Sequence, residues 1–241
     1  MSDRSGATVS VNFARPFPLF PLDGVVLLPY AVLRLFIFEP RYRQMVEHAL
    51  DGSGQIAMAV FEGDQWKGEY HGRPALKRSV CIGRIAQHER LADGNYRIAL
   101  QGVCRARIRE EAAPSAPSEG DRLYRTARLD PVECGQPDEE ALFLIRDALT
   151  SRLERAPLTE LASVCALERE LDERPIPTAA LLELVTLSVL TDRGTQYRLL
   201  AEGDVHRRGR IVEEELDRLT RVLEFARRQH DPSSPRGVTW N

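Results

Sequence analysis

Two periodicities divide the chain. From Phe13 to about Pro131 apolar positions recur at every second residue or in short unbroken runs, and beyond Pro137 they recur at intervals of three and four. Tyr96 to Ile108 alternates most cleanly, with Tyr96, Ile98, Leu100, Cys104, Ala106 and Ile108 on one face and Arg97, Gln101, Arg105 and Arg107 on the other. Such alternation means one face buried and one wet, as in an antiparallel sheet or small barrel. The same reasoning predicts strands over Leu33 to Phe38, Gln55 to Phe61, Ser79 to Leu91 and Leu123 to Leu129. Ahead of them, two short apolar strands are expected either side of Leu22-Asp23-Gly24-Val25, because an Asp-Gly pair supplies positive φ cheaply while Pro21 and Pro29 hold the flanks extended. Gly83 and Gly102 mark expected bulges or bends.

Helical spacing appears first at Glu39 to about Leu50. Pro40 sits in the first turn, where its missing N–H is not felt, and Tyr42, Met45, Val46 and Ala49 share a side. In the second half, Asp138 to Glu140 places negative charge ahead of a helix with Ala141, Leu142, Ile145, Ala148 and Leu149 on its apolar face. A further helix is predicted over Leu158 to Leu171. After Pro175-Ile176-Pro177, Thr178 is the expected cap of a helix carrying Leu181, Leu182, Leu184, Val185, Leu187, Val189 and Leu190, apolar nearly all round and therefore central. The last helix, about Val205 to Gln229, spaces Val212, Leu216, Leu219, Leu223 and Ala226 as a packing seam, more readily filled by its own bundle than by a second copy because fewer than three heptads are present. The expected organisation is thus a polar N-terminus over 1–12, a β subdomain over 13–133, a helical subdomain over 137–229 and a polar tail over 230–241. The loop Ala112 to Gly120 interrupts the β half.

Composition narrows the function. The chain has 241 residues, a net charge of −3, 43% hydrophobic and 29% charged residues, an ordinary globular balance. No run approaches the ~18 uncharged apolar residues of a membrane span, and Met1 to Asn12 has no apolar export core, so a cytoplasmic protein without a membrane partner is expected. Cys81, Cys104, Cys134 and Cys165 are scattered, with no C-x-x-C pair and no histidine at ligand spacing; they read as structural thiols, not as a metal site.

Phe17-Pro18-Leu19-Phe20-Pro21-Leu22, the turn, Val26-Leu27-Leu28-Pro29 and then Ile37-Phe38-Glu39-Pro40-Arg41-Tyr42 resemble the opening of the amino-terminal, substrate-binding domain of Lon proteases. Val80 to Ala86 is similar to that family's glycine-marked strand, and Asp93 to Ile108 to the hairpin that follows. Leu181 to Val185 and Tyr197 to Asp204 match its helical half less specifically. The resemblance spans roughly Phe13 to Glu224, with one departure at Phe36, where the family often has histidine. It implies an α+β fold: an N-terminal PUA-like antiparallel β-barrel with one helix, followed by a C-terminal α-helical bundle.

The enzyme of that family needs chemistry that these residues lack. A phosphate loop requires Gly-Lys-Ser/Thr, and the only lysines are Lys67, after Trp66, and Lys77, after Leu76. A lysine-activated serine requires a desolvated lysine, whereas both lie in the Gly-, Pro- and charge-rich stretch Glu62 to Arg78. The chain is therefore expected to be no enzyme and to need no cofactor. No nucleophile-elbow or zinc-protease pattern singles out His71 or His88 as hydrolytic.

The resemblance implies recognition of unfolded or tagged polypeptide, with a Lon-type protease as a further partner and either a monomer or a homodimer as the working form. A surface for unfolded chains needs exposed aromatic groups or open strand edges. The Gly-interrupted loop Gly63 to Pro74 offers Trp66, Tyr70 and His71 as the candidate binding residues, with a lid over the sheet as the equally weighted alternative. The signature residues Pro18, Phe20, Pro21, Pro29, Phe38, Glu39, Pro40, Arg41, Tyr42, Gly83 and Gly102 are expected to be structural, with Phe38 and Tyr42 in the core and Glu39 and Arg41 as charges at the helix start. A rival reading is RNA binding, since PUA-like domains often bind RNA and Arg97, Arg105, Arg107 and Arg109 form a basic ladder. Charge disfavours it: residues 1–133 carry 18 Lys+Arg against 16 Asp+Glu, and residues 134–241 carry 15 against 20.

Overall fold

The computed structural model describes residues 9–68, 72–113, 122–132, 138–173 and 176–230. Six strands and six α-helices follow one another as β1 (Phe17–Leu22), β2 (Val32–Ile37), α1 (Pro40–Leu50), β3 (Gln55–Val60), β4 (Ser79–Arg90), β5 (Tyr96–Glu111), β6 (Thr126–Pro131), α2 (Phe143–Leu153), α3 (Ala162–Glu173), α4 (Thr178–Ser188), α5 (Arg193–Ala201) and α6 (Val205–His230), an α+β architecture. They form two compact units, Met1–Gly135 with Arg193–Gly203, and Gln136–Asp192 with Asp204–Asn241.

In the first unit the strands lie in the order β2-β5-β4-β3-β1-β6, and β6 pairs again with β5, joining five of the six strands in a ring. The sheet is mixed where an antiparallel one was expected. β1 and β3 run parallel, with Leu19 opposite Ala57 and Leu22 opposite Val60. The reason is the connection: the chain leaves β1 through β2 and α1 before returning, and such a crossover brings a strand back in the same direction. Phe17, Leu19, Ala57, Ala59, Phe61, Val80, Ile82 and Leu129 fill the interior. On the other side of β1, the ring of Phe20 lies 4.6 Å from that of Tyr42 in α1.

The turn at Asp23 and Gly24 forms as expected, with Gly24 at φ +60°. The strand expected after it does not. Val26, Leu27 and Leu28 are buried in an irregular segment that crosses β5 at Gly102. There Tyr30 N–H donates to Gly102 O at 3.0 Å and Gly102 N–H donates to Ala31 O at 2.8 Å. A Cβ on residue 102 would lie 2.0 Å from Leu28 O, so glycine is required by the crossing of two backbones. β6 also starts later than expected, at Thr126, leaving Leu123 exposed.

α5, expected within the helical half, groups with the sheet. It packs on β4, Ser79 N–H donates to Tyr197 Oη at 2.9 Å, and Arg105 Nε donates to Leu199 O at 3.3 Å.

In the second unit α4 packs with α2, α3 and α6. α4 is buried along most of its length, which fits its all-round apolar sequence. Thr178 is its first helical residue and not its cap. The Glu139 carboxylate takes that role, accepting from Thr178 N–H at 2.9 Å and from its hydroxyl at 2.7 Å. The expected helix from Leu158 begins at Ala162, after a 3₁₀ turn over Leu158–Glu160. On α6 the seam is buried at Val212 and Leu216 but only half-buried at Leu219, Leu223 and Ala226. No helix among the described residues is long and apolar enough to cross a membrane. Cys81 is buried, Cys104 and Cys165 are half-buried, and Cys134 lies outside the described residues.

Candidate functional site

Of the three residues proposed on the Gly63 to Pro74 loop, only Trp66 is described; Tyr70 and His71 lie outside the described residues. Trp66 sits in a short 3₁₀ turn, Gln65–Lys67, and its ring stacks on Phe61 with centroids 5.3 Å apart and planes 10° from parallel. It is half-buried against the core of the sheet. One face of its ring is thus covered by Phe61.

The exposed aromatic surface lies elsewhere. β2 stands at the edge of the sheet and, among the described residues, pairs only with β5. Edge strands offer backbone donors and acceptors to an incoming chain and are normally blunted by charge or proline. Here the solvent-facing positions are Val32, Arg34 and Phe36, continued by Phe38 beyond the strand; Val32 and Phe36 are each 53% exposed and Phe38 60%. Phe38 was expected in the core and is instead the most exposed of these, because it follows the last paired residue of an edge strand and nothing among the described residues covers its side of β2. Tyr42, by contrast, is buried as expected, and its hydroxyl donates to Pro21 O at 3.4 Å. The rings of Phe36 and Phe38 stack at 6.1 Å, forming one apolar platform. Beside it a groove of about 470 Å³ runs between Arg34 and Phe36 of β2, Gln87 to Glu89 of β4 and Arg97 of β5.

This platform was missed in the sequence although its signal was present. Arg34 shares the face of Val32 and Phe36 at period two, and an arginine mid-strand identifies the wet face. The apolar run hid the alternation.

Glu39 and Arg41 do form a pair at the start of α1, at 3.0 Å. The basic ladder on β5 is interrupted. Arg105 is buried at 1% exposure, Arg97 faces Glu89 at 3.5 Å and Arg109 faces Asp130 at 3.4 Å. No group of three or more His, Cys, Asp or Glu residues able to hold a metal occurs among the described residues.

Comparison with known proteins agrees with this architecture. The family model of the ATP-dependent protease La (LON) substrate-binding domain matches residues 16–218. Lon protease of Trichlorobacter lovleyi is 25% identical over 226 residues, covering 89% of this chain and 24% of that protein. Lon protease of Haemophilus influenzae is 26% identical over 146 residues, 59% of this chain and 17% of that protein. The chain therefore spans about a quarter or less of the length of these relatives. Among solved structures, the N-terminal domain of Mycobacterium avium complex Lon protease superposes with a TM-score of 0.58 at 18% identity, covering 84% of this chain and 98% of that one. A Lon N-terminal domain protein from Xanthomonas campestris superposes with a TM-score of 0.52 at 22% identity, covering 88% and 98%.

Proposed function

The chain belongs to the family of the ATP-dependent protease La (Lon) substrate-binding domain, and from that premise we propose that it is a cytoplasmic, non-catalytic protein that captures unfolded or tagged polypeptide. The carrying observation is the open edge of β2 with Val32, Phe36 and Phe38 exposed along it. An extended segment pairs its backbone with such an edge whatever its sequence, and alternate side chains rest on the phenylalanine platform and in the adjoining groove. Selectivity for unfolded chains follows, since a folded protein has few free strand edges to offer. The ring of five strands reads as a PUA-like barrel supporting this edge, and the helices of the second unit as a bundle. A Lon-type protease is the partner to which the captured chain is delivered or from which it is withheld.

The test is binding of reduced, alkylated α-lactalbumin, which stays unfolded, with native α-lactalbumin and a mixed RNA pool as controls at about 0.15 M salt. Capture of the unfolded form alone is expected. Replacing both Phe36 and Phe38 by serine should weaken it at least about tenfold, the loss of roughly 1.4 kcal/mol or more, with little change in melting temperature because both rings are exposed in the free protein. RNA binding without polypeptide binding, or unchanged capture by the double variant, would reject the reading.

A further inference from the structure

At the other end of the strand order from β2, a pocket of about 310 Å³ opens between β1, the start of α1 and the approach to β6. Four arginines line it, Arg41, Arg73, Arg122 and Arg125, and no acidic residue does among the described residues. That is unusual in a chain whose net charge is −3.

Among the described residues two carboxylates, Glu39 and Glu111, meet these arginines. Arg125 makes a two-pronged contact with Glu111, Nε to Oε2 at 2.9 Å and Nη2 to Oε1 at 2.7 Å, and its Nη1 donates to Pro74 O at 2.7 Å. Arg73 shares the same Glu111 carboxylate at 3.4 Å and donates to Ala112 O at 2.8 Å. Arg41 pairs with Glu39. Arg122 has no ion pair among the described residues and lies with its guanidinium carbon 5.5 Å from the centre of the Tyr124 ring. Among the described residues, four guanidinium groups thus meet two carboxylates, neither of which lines the pocket.

The rest of the lining is apolar and aromatic. Leu19, Tyr42 and Tyr124 are buried beneath the arginines, and Leu123 stands exposed at the mouth. Burial pushes the Tyr124 hydroxyl above its ordinary pKa, against the opposing pull of Arg122, so this wall adds no negative charge at neutral pH. Tyr124 Oη lies 3.0 Å from His48 Nδ1, which fixes the ring.

Planar guanidinium groups around an apolar floor match a carboxylate carried on a peptide body, since two N–H groups of each fork align with two oxygens. A pocket of about 310 Å³ suits a chain end of one or two residues. We propose that this pocket binds the C-terminal carboxylate of a polypeptide, with its last apolar side chain resting on Leu19 and Tyr124. The proposal rests on the polypeptide-capture reading and adds to it a preference for chains that present a free end.

The test uses a short fluorescein-labelled peptide ending in leucine, prepared as the free acid and as the C-terminal amide, with affinity read by fluorescence polarisation on the full chain. The free acid should bind about tenfold tighter than the amide, as expected for one charge-assisted contact. Arg122→Gln, a change at an exposed position, should abolish that difference with an unaltered far-UV spectrum, whereas Arg122→Lys should retain part of it. Millimolar inorganic phosphate should compete with the acid. Equal affinity for acid and amide overturns the proposal while capture of alkylated α-lactalbumin leaves the parent reading standing. Binding of phosphate alone, with no preference for the acid, shows a free-anion site and also overturns it. An acid preference that survives both Arg122→Gln and Arg73→Gln places the carboxylate elsewhere and rejects this pocket.

Discussion

Two glycines that the sequence marked alike, Gly83 and Gly102, do different jobs at atomic scale. A Cβ at residue 102 would strike backbone, Leu28 O at 2.0 Å and Leu28 C at 2.8 Å, and backbone cannot move without breaking the hydrogen bonds that lock Tyr30 and Ala31 to β5. A Cβ at residue 83 would meet only side chains, Leu100 at 2.7 Å and Leu27 at 2.9 Å. Gly102→Ala should therefore cost more than about 3 kcal/mol, while Gly83→Ala should cost about 1–3 kcal/mol as the leucines shift, both measured by urea unfolding. Equal costs would mean that the crossing segment yields as easily as a leucine. At Asp204 the relevant physics is charge. Its carboxylate accepts from Arg207 N–H at 3.1 Å and His206 N–H at 2.8 Å at the start of α6. The Arg207 N–H above all, then that of His206, holds the carboxyl below the ordinary carboxylate pKa. A depressed folded-state pKa gives stability that is present above the unfolded value and lost as pH falls through the folded one. Asp204→Ala should lower the melting temperature by a few degrees at pH 7, and the gap from the parent should close as pH falls below the ordinary carboxylate range. A gap independent of pH would assign the effect to the side chain's packing and not to its charge.

The elements most legible in the sequence were those with a strict period or with decisive caps. α1 begins at Pro40 and buries Tyr42, Met45, Val46 and Ala49 as the 3.6 spacing requires, and β5 follows from its alternation. The misjudged positions share a physical cause: the decisive neighbour is remote in sequence. Arg105 reads as a wet-face arginine by alternation, yet it is buried because Leu199, ninety-four positions on, accepts its Nε proton. Phe38 reads as core by hydropathy, yet among the described residues no element covers its side of β2. Trp66 reads equally as a lid or as a binding residue, and the stacking on Phe61 that bears on the choice has no signal in the spacing. The two sites differ in the same way. The β2 platform is local and was recoverable from Arg34, whereas the arginine pocket collects residues 41, 73, 122 and 125 from four separate segments, which no spacing rule brings together. From the position of Trp66 we expect Trp66→Ala to lower stability by about 1–2 kcal/mol, less than the loss at a fully buried tryptophan, while leaving affinity for alkylated α-lactalbumin within about twofold. A large loss of affinity without a loss of stability would return the loop to the binding surface.

At the scale of the molecule, the chain does not divide where its periodicity changes. The first unit is completed by α5, which arrives after the chain has passed through α2, α3 and α4. A fragment ending at Gly135 keeps every strand but loses α5, and with it one acceptor of the buried Arg105 and the hydroxyl bonded to Ser79 N–H. It also loses the burial of Leu199 and Leu200, each 1% exposed. Two leucines contribute about 1.5–3 kcal/mol apiece, and a charged hydrogen bond about 1.5–3 kcal/mol more. The sum is comparable with the ~5–15 kcal/mol of a whole domain. Residues 1–135 expressed alone should accordingly show no cooperative thermal transition, or one lowered by well over ten degrees. A fusion that returns residues 193–203 through a flexible linker should recover much of the loss, because it restores these contacts without α2, α3 and α4. A fragment as stable as the parent, followed by circular dichroism at 222 nm, would mean that α5 only rests on the sheet, and that Arg105 is satisfied equally well by water.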